Sequence, residues 1–133
     1  MIRRALVVDD EPAIARLVEI NLKRDGYAVS IARDGVEALE KVRAERPDII
    51  VCDVMMPRMD GLQVLRQLKA DATTRDIPVI MLTAKAQHED IFNGWQAGTE
   101  MYLTKPFSPP ELLMFVRRLT RTQTEADDGR IRI

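Results

Sequence analysis

Residues 6–12 read LVVDDEP, an apolar triplet followed by three acids with no spacer and then a proline. Leu6, Val7 and Val8 read as a buried strand, which leaves Asp9, Asp10 and Glu11 at its carboxyl mouth. Two carboxylates about 4 Å apart repel by about 4 kcal/mol at an effective dielectric of about 20. Helix capping accounts for one acid, because Pro12 suits a first helical position and an acid before it accepts first-turn amide protons. The surplus needs another reason, and the rest of the chain supplies one.

Apolar and amphipathic runs alternate from end to end. Residues 5–8, 27–31, 49–52, 79–82 and 101–104 read as five short strands, three of them without period-two alternation, as expected where both sheet faces are covered. Between them lie helical stripes: Ile14, Leu17, Val18 and Leu22, closed by Asp25-Gly26; then Leu39 and Val42 behind an Asp34-to-Glu37 capping box. Leu62, Leu65 and Leu68 follow Asp60-Gly61, and Ile91 and Trp95 make a shorter stripe weakened by Gly94. Ser108, Pro109 and Glu111 open the last helix, with Leu112, Val116 and Leu119 facing inward. Five strand–helix units predict an α/β fold, a doubly wound parallel sheet with helices on both faces.

At 133 residues the chain reads as one domain large enough for a core. Twenty basic against 21 acidic side chains leave a formal charge of −1, so nothing supplies the basic field that nucleic acid needs, and direct nucleic acid binding is not expected. No apolar run reaches the length of a membrane span, and the apolar part of the start is too short for a signal peptide. Cys52, the only cysteine, reads as a small buried residue of a reducing compartment, so the expected location is cytoplasmic. From Thr120 the sequence turns polar, either a frayed terminus or the start of a linker; the expected division is a domain over 1–121 and a tail over 122–133.

In an open parallel sheet, ligands bind beyond the carboxyl ends of the strands. Those ends carry Asp9, Asp10 and Glu11 after the first strand, Asp53 after the third, Thr83 after the fourth and Lys105 after the fifth. The carboxylates form a hard, oxygen-rich set of the kind that takes Mg²⁺. A carboxylate is also a nucleophile toward phosphorus, giving an aspartyl phosphate, with Lys105 and Thr83 suited to the phosphoryl oxygens. On this reading the acids repel one another because they await a cation.

The stretches LVVDDEP, DIIVCDVMMPRMDG, PVIMLTA, AG at 97–98 and YLTKPF, in this order, make the chain resemble a bacterial two-component response-regulator receiver domain over residues 3–120. The resemblance implies a flavodoxin-like receiver fold, five parallel strands in the order 2-1-3-4-5 with five helices. It implies that Asp53 accepts a phosphoryl group from a histidine kinase or histidine phosphotransferase. Asp10 and Asp53 would bind Mg²⁺ directly, Asp9 through water, and the Met55 backbone carbonyl as a further ligand. Thr83 and Lys105 would hold phosphoryl oxygens, Tyr102 would be the switch aromatic that turns inward when Thr83 moves, and Lys105-Pro106 would be a cis peptide. The chain would be a phosphoacceptor regulator, not an enzyme, with at most slow self-catalysed phosphorylation and dephosphorylation.

Departures from the family pattern bear on partners. Glu100-Met101 stands where many relatives have two acids, and Asn93 where winged-helix regulators commonly have a basic residue. These positions belong to the face of the fourth expected helix, fifth strand and fifth expected helix, through which that subgroup forms a salt-bridged dimer. A downstream protein partner held by apolar contact is expected there instead, the chain staying a monomer or a weak phosphorylation-dependent dimer. It is expected to be a stand-alone regulator, with a receiver cut from a longer protein as the alternative.

The other conspicuous residues have plainer readings. His88 reads as solvated, Met55, Met56 and Met59 as loop packing, Trp95 as packing on its helix, and Arg117, Arg118 and Arg121 as an exposed face at the negative end of the last helix. The competing function is a Mg²⁺-dependent phosphohydrolase that works through an aspartyl phosphate. Enzymes of the haloacid dehalogenase type carry a second Asp two residues after the nucleophile, and here that position is Met55. A nucleotide-binding module is disfavoured because no Gly-rich loop follows any strand.

Overall fold

The computed structural model describes residues 3–84 and 101–127. The expected helix around Ile91 and Trp95, together with His88, Asn93, Gly98 and Glu100, lies outside the described residues, as do the side chain of Arg121 and the end of the tail. In chain order the elements are β1 (Arg4–Val8), α1 (Pro12–Arg24), β2 (Ala28–Ala32), α2 (Gly35–Glu45), β3 (Ile49–Asp53), α3 (Gly61–Ala70), β4 (Val79–Ala84), β5 (Met101–Lys105) and a C-terminal helix (Pro109–Asp127). All strands pair in parallel, in the order β2-β1-β3-β4-β5. This is the doubly wound sheet expected, with four of the five expected helices among the described residues.

Strand pleating divides the core in two. Leu6, Val8, Ile50, Cys52, Val79 and Met81 meet Leu39 and Val42 of α2 and Leu65 and Leu68 of α3. The alternate residues Ala5, Val7, Ile49, Val51, Ile80 and Leu82 meet Val18 and Leu22 of α1 and Leu112 and Val116 of the C-terminal helix. Because each of these strands is covered on both faces, its sequence shows a continuous apolar run and no alternation. Each fully buried aliphatic side chain contributes roughly 1.5–3 kcal/mol.

The register sets the functional rim. Val8 pairs with Cys52, so Asp9 and Asp53 leave neighbouring strands at the same level. Asp53 pairs with Leu82, which puts Thr83 one residue beyond it, and Ala84 pairs with Lys105.

Local signals act as read, with three differences. Asp34 caps α2 by accepting the Glu37 amide (2.9 Å), but the Glu37 carboxylate takes the Arg33 amide (2.6 Å), one residue before the cap. In α1 the inward stripe is Ala15, Val18 and Leu22, while Leu17 is exposed and Ile14 half-buried. A hydrophobicity pattern favours the larger side chain, whereas the buried position here is Ala15. The C-terminal helix continues to Asp127, beyond the last inward leucine, because helix propensity persists in polar residues after packing ends. Thr120 is itself buried: its hydroxyl meets Tyr27 Oη at 3.0 Å and donates to the Val116 carbonyl. Arg117 grips Asp25 with two nitrogens (3.0 and 2.6 Å), joining this helix to the end of α1.

Candidate functional site

Asp9, Asp10 and Asp53 each place a carboxylate oxygen within 4.8 Å of the others. Asp9 and Asp53 are almost fully buried, at 1% and 5% exposure, while Asp10 is exposed. Lys105 reaches across from β5, its Nζ 3.2 Å from Asp9, 3.3 Å from Asp53 and 3.4 Å from Glu11. Three carboxylates thus share one ammonium among the described residues, with the Asp10 carboxylate beside them.

Capping does not explain them. Glu11 is the N-cap residue of α1, yet its side chain makes no capping hydrogen bond and turns to Lys105 instead. Asp9 accepts the Glu11 amide at 2.9 Å, a bond that orders the turn but leaves the α1 first-turn amides alone.

The electrostatics follow from burial. Desolvation lifts the Asp53 pKa to about 6, the nearby Asp9 charge adds to the rise, and Lys105 opposes it. Asp9 is also raised, mainly by desolvation, against the Glu11 amide and Lys105. For Lys105, burial works against the ammonium, but Asp53 and Asp9 together outweigh it and the pKa ends above its ordinary value. Burial likewise pushes the Cys52 thiol up, so it stays protonated and inert as a nucleophile.

The remaining expected residues lie around this cluster. Thr83 is fully buried at the end of β4, with Oγ1 3.3 Å from the Ala84 carbonyl. Tyr102, earlier on β5, is half-buried against the core on the α2–α3 side. The Met55 side chain is exposed in the loop after Asp53, and the Lys105–Pro106 peptide is cis. The structure therefore brings together Asp9, Asp10, Asp53 and Lys105, and sets Thr83 and Tyr102 on the flanking strands.

Two further residues matter that pattern reading passed over. A Cβ at Gly61 would overlap the Asp53 carbonyl oxygen, and the Gly61 amide donates to the Val54 carbonyl at 2.8 Å. Glycine is needed there for the loop after β3 to close against its own strand; the MDG triplet was the available signal. Arg58 pairs with Asp34 across the same loop, a contact that leaves no periodic mark in the sequence.

With the cluster in view, comparison with known proteins decides the family. The model of the response regulator receiver domain matches residues 5–117. The chain belongs to this family. The receiver is 46% identical over 126 residues to the response regulator MprA of Mycobacterium avium, covering 95% of this chain and 54% of that protein. It is 46% identical over 121 residues to the alkaline phosphatase synthesis transcriptional regulatory protein PhoP of Bacillus subtilis, covering 91% and 50%. The receiver thus spans about half the length of these curated relatives. Among solved structures, the chemotaxis response regulator CheY4 of Vibrio cholerae superposes with a TM-score of 0.83 at 34% identity, covering 90% of this chain and 99% of that one. Its place is in two-component signalling, and its acidic cluster is compatible with a divalent cation. No helix among the described residues is long and apolar enough to cross a membrane.

Proposed function

We propose that Asp53 takes a phosphoryl group from the phosphohistidine of a histidine kinase or histidine phosphotransferase, in a Mg²⁺-dependent reaction. The observation that carries this reading is the buried Asp53 carboxylate facing Asp9, Asp10 and one shared ammonium. An all-oxygen donor set with excess negative charge fits Mg²⁺, held by Asp10, Asp53 and the Met55 carbonyl, with Asp9 acting through water. Bound there, the cation supplies neutralising charge to the phosphoryl oxygens.

The chain's own residues do the rest. Asp53 attacks as the carboxylate; its P–O bond forms as the donor P–N bond breaks, and the imidazole leaves, taking a proton from solvent. Lys105 stays charged through its acidic neighbours and turns from them to the transferred group, while the Thr83 hydroxyl donates to a second phosphoryl oxygen. Movement of Thr83 then gives Tyr102 room to turn inward, biasing two pre-existing packings of the surface around β5. Met101, half-buried, and Met114, exposed, favour a protein partner held there by apolar contact, with the receiver a monomer or weak dimer. We place the working unit at 1–121, with 122–133 a tail or linker, in the cytoplasm.

The receiver is a phosphoacceptor, with self-catalysed phosphorylation and dephosphorylation at most slow. The phosphohydrolase reading lacks its general acid, since exposed Met55 holds that position. Incubation with acetyl phosphate and Mg²⁺ separates the two. One phosphoryl group per chain with slow release supports the receiver reading; sustained release of phosphate over many turnovers supports the enzyme.

A further inference from the structure

We infer that Arg58 and Asp34 form a clamp that positions the loop between β3 and α3, and with it the Met55 carbonyl, for binding the cation at the Asp53 cluster. The inference rests on the Mg²⁺-dependent reading of Asp53 and assigns to it two positioning residues outside the cluster.

Three observations converge on the clamp. Arg58 holds φ 67°, the left-handed region that is unfavourable for a residue with a side chain. Its Nε and Nη2 both donate to Asp34 Oδ2, at 3.0 and 2.5 Å, while Asp34 Oδ1 is occupied by the Glu37 amide. One carboxylate therefore caps α2 and tethers the loop at once. The loop backbone also lies directly on the first turn of α2: a Cβ at Gly35 would come within 2.6 Å of Met59 Cβ and overlap the Met59 carbonyl.

The loop has little other freedom. It leaves β3 at Asp53, turns where the Met59 amide donates to the Pro57 carbonyl (2.8 Å), and closes where Gly61 donates to Val54. Arg58 is the tether at its apex. The Arg58 side chain is 61% exposed, so solvent screens the ion pair and it adds little to global stability. A strained backbone held by a weakly stabilising pair serves placement more than stability.

The test uses Arg58→Ala, Asp34→Asn, their double variant and Arg58→Lys. Asparagine keeps an oxygen for the Glu37 amide, so the α2 cap survives while the charge pair is lost. Mg²⁺ affinity is read by titration calorimetry, beside the thermal midpoint of the metal-free protein. Each single substitution should weaken Mg²⁺ binding roughly three- to tenfold with the midpoint near wild type, and the double variant should be no weaker than either single. Arg58→Lys should recover part of the loss. Unchanged affinity in both single variants, or additive losses in the double, overturns the clamp while wild-type Mg²⁺ binding leaves the Asp53 reading standing. A wild-type protein that binds no Mg²⁺ overturns both.

Discussion

Lys105 Nζ lies 3.3 Å from Asp53 Oδ1, so the residue proposed to meet the phosphoryl group is also the counter-ion of the proposed phosphoacceptor. The same ammonium meets Asp9 at 3.2 Å. Replacing it by methionine keeps the apolar stem and strands two buried carboxylates. Lys105→Met should therefore destabilise the metal-free protein by about 2–4 kcal/mol at neutral pH, with Mg²⁺ recovering part of the loss. Chemical denaturation with and without Mg²⁺ measures this; an unchanged midpoint would mean that water already screens the pair.

The raised Asp53 pKa has a signed consequence. A folded pKa of about 6 exceeds the unfolded value, so the protonated carboxyl favours folding at low pH and this contribution is lost as pH rises to about 6. A two-unit shift amounts to about 3 kcal/mol. Asp34 and Asp25, held below the usual range by the Glu37 amide and by Arg117 respectively, give the opposite slope, so the variant comparison matters. Asp53→Asn should gain stability relative to wild type between about pH 4 and about pH 7 without metal. A difference that stays flat with pH would contradict the assignment.

Asp10 is the exposed member of the cluster and adds to the charge that lifts Asp53. Asp10→Asn should raise the metal-free midpoint, by about 1 kcal/mol or less given its contact with water, and weaken Mg²⁺ binding. A lower midpoint would show that Asp10 is held by attraction and not strained by repulsion.

Much of the site was legible because its parts abut strand ends. Asp9, Asp53, Thr83 and Lys105 each follow an apolar run, and parallel topology carries all such ends to one rim. Leu17 was misplaced because hydrophobicity ranks leucine above alanine, while the face of α1 turned to the core carries Ala15. The Arg58–Asp34 pair spans 24 positions between two loops, where no periodicity exists to reveal it. The Glu11–Lys105 contact was not legible, because the two residues lie 94 positions apart.

Beryllofluoride with Mg²⁺, a mimic of the phosphoryl group, should change Trp95 fluorescence while most of the protein remains monomeric. Fluorescence and light scattering read the two outcomes. Tight dimerisation on its addition, abolished by high salt, would restore the salt-bridged dimer and remove the apolar-partner reading.

The central claim is that Asp53 is the phosphoacceptor. Acetyl phosphate and Mg²⁺, followed by intact-mass analysis of wild type and Asp53→Asn, tests it most directly. The account predicts one phosphoryl group on wild type, none on the variant, and none on either after Mg²⁺ is chelated beforehand. Equal labelling of Asp53→Asn would contradict it.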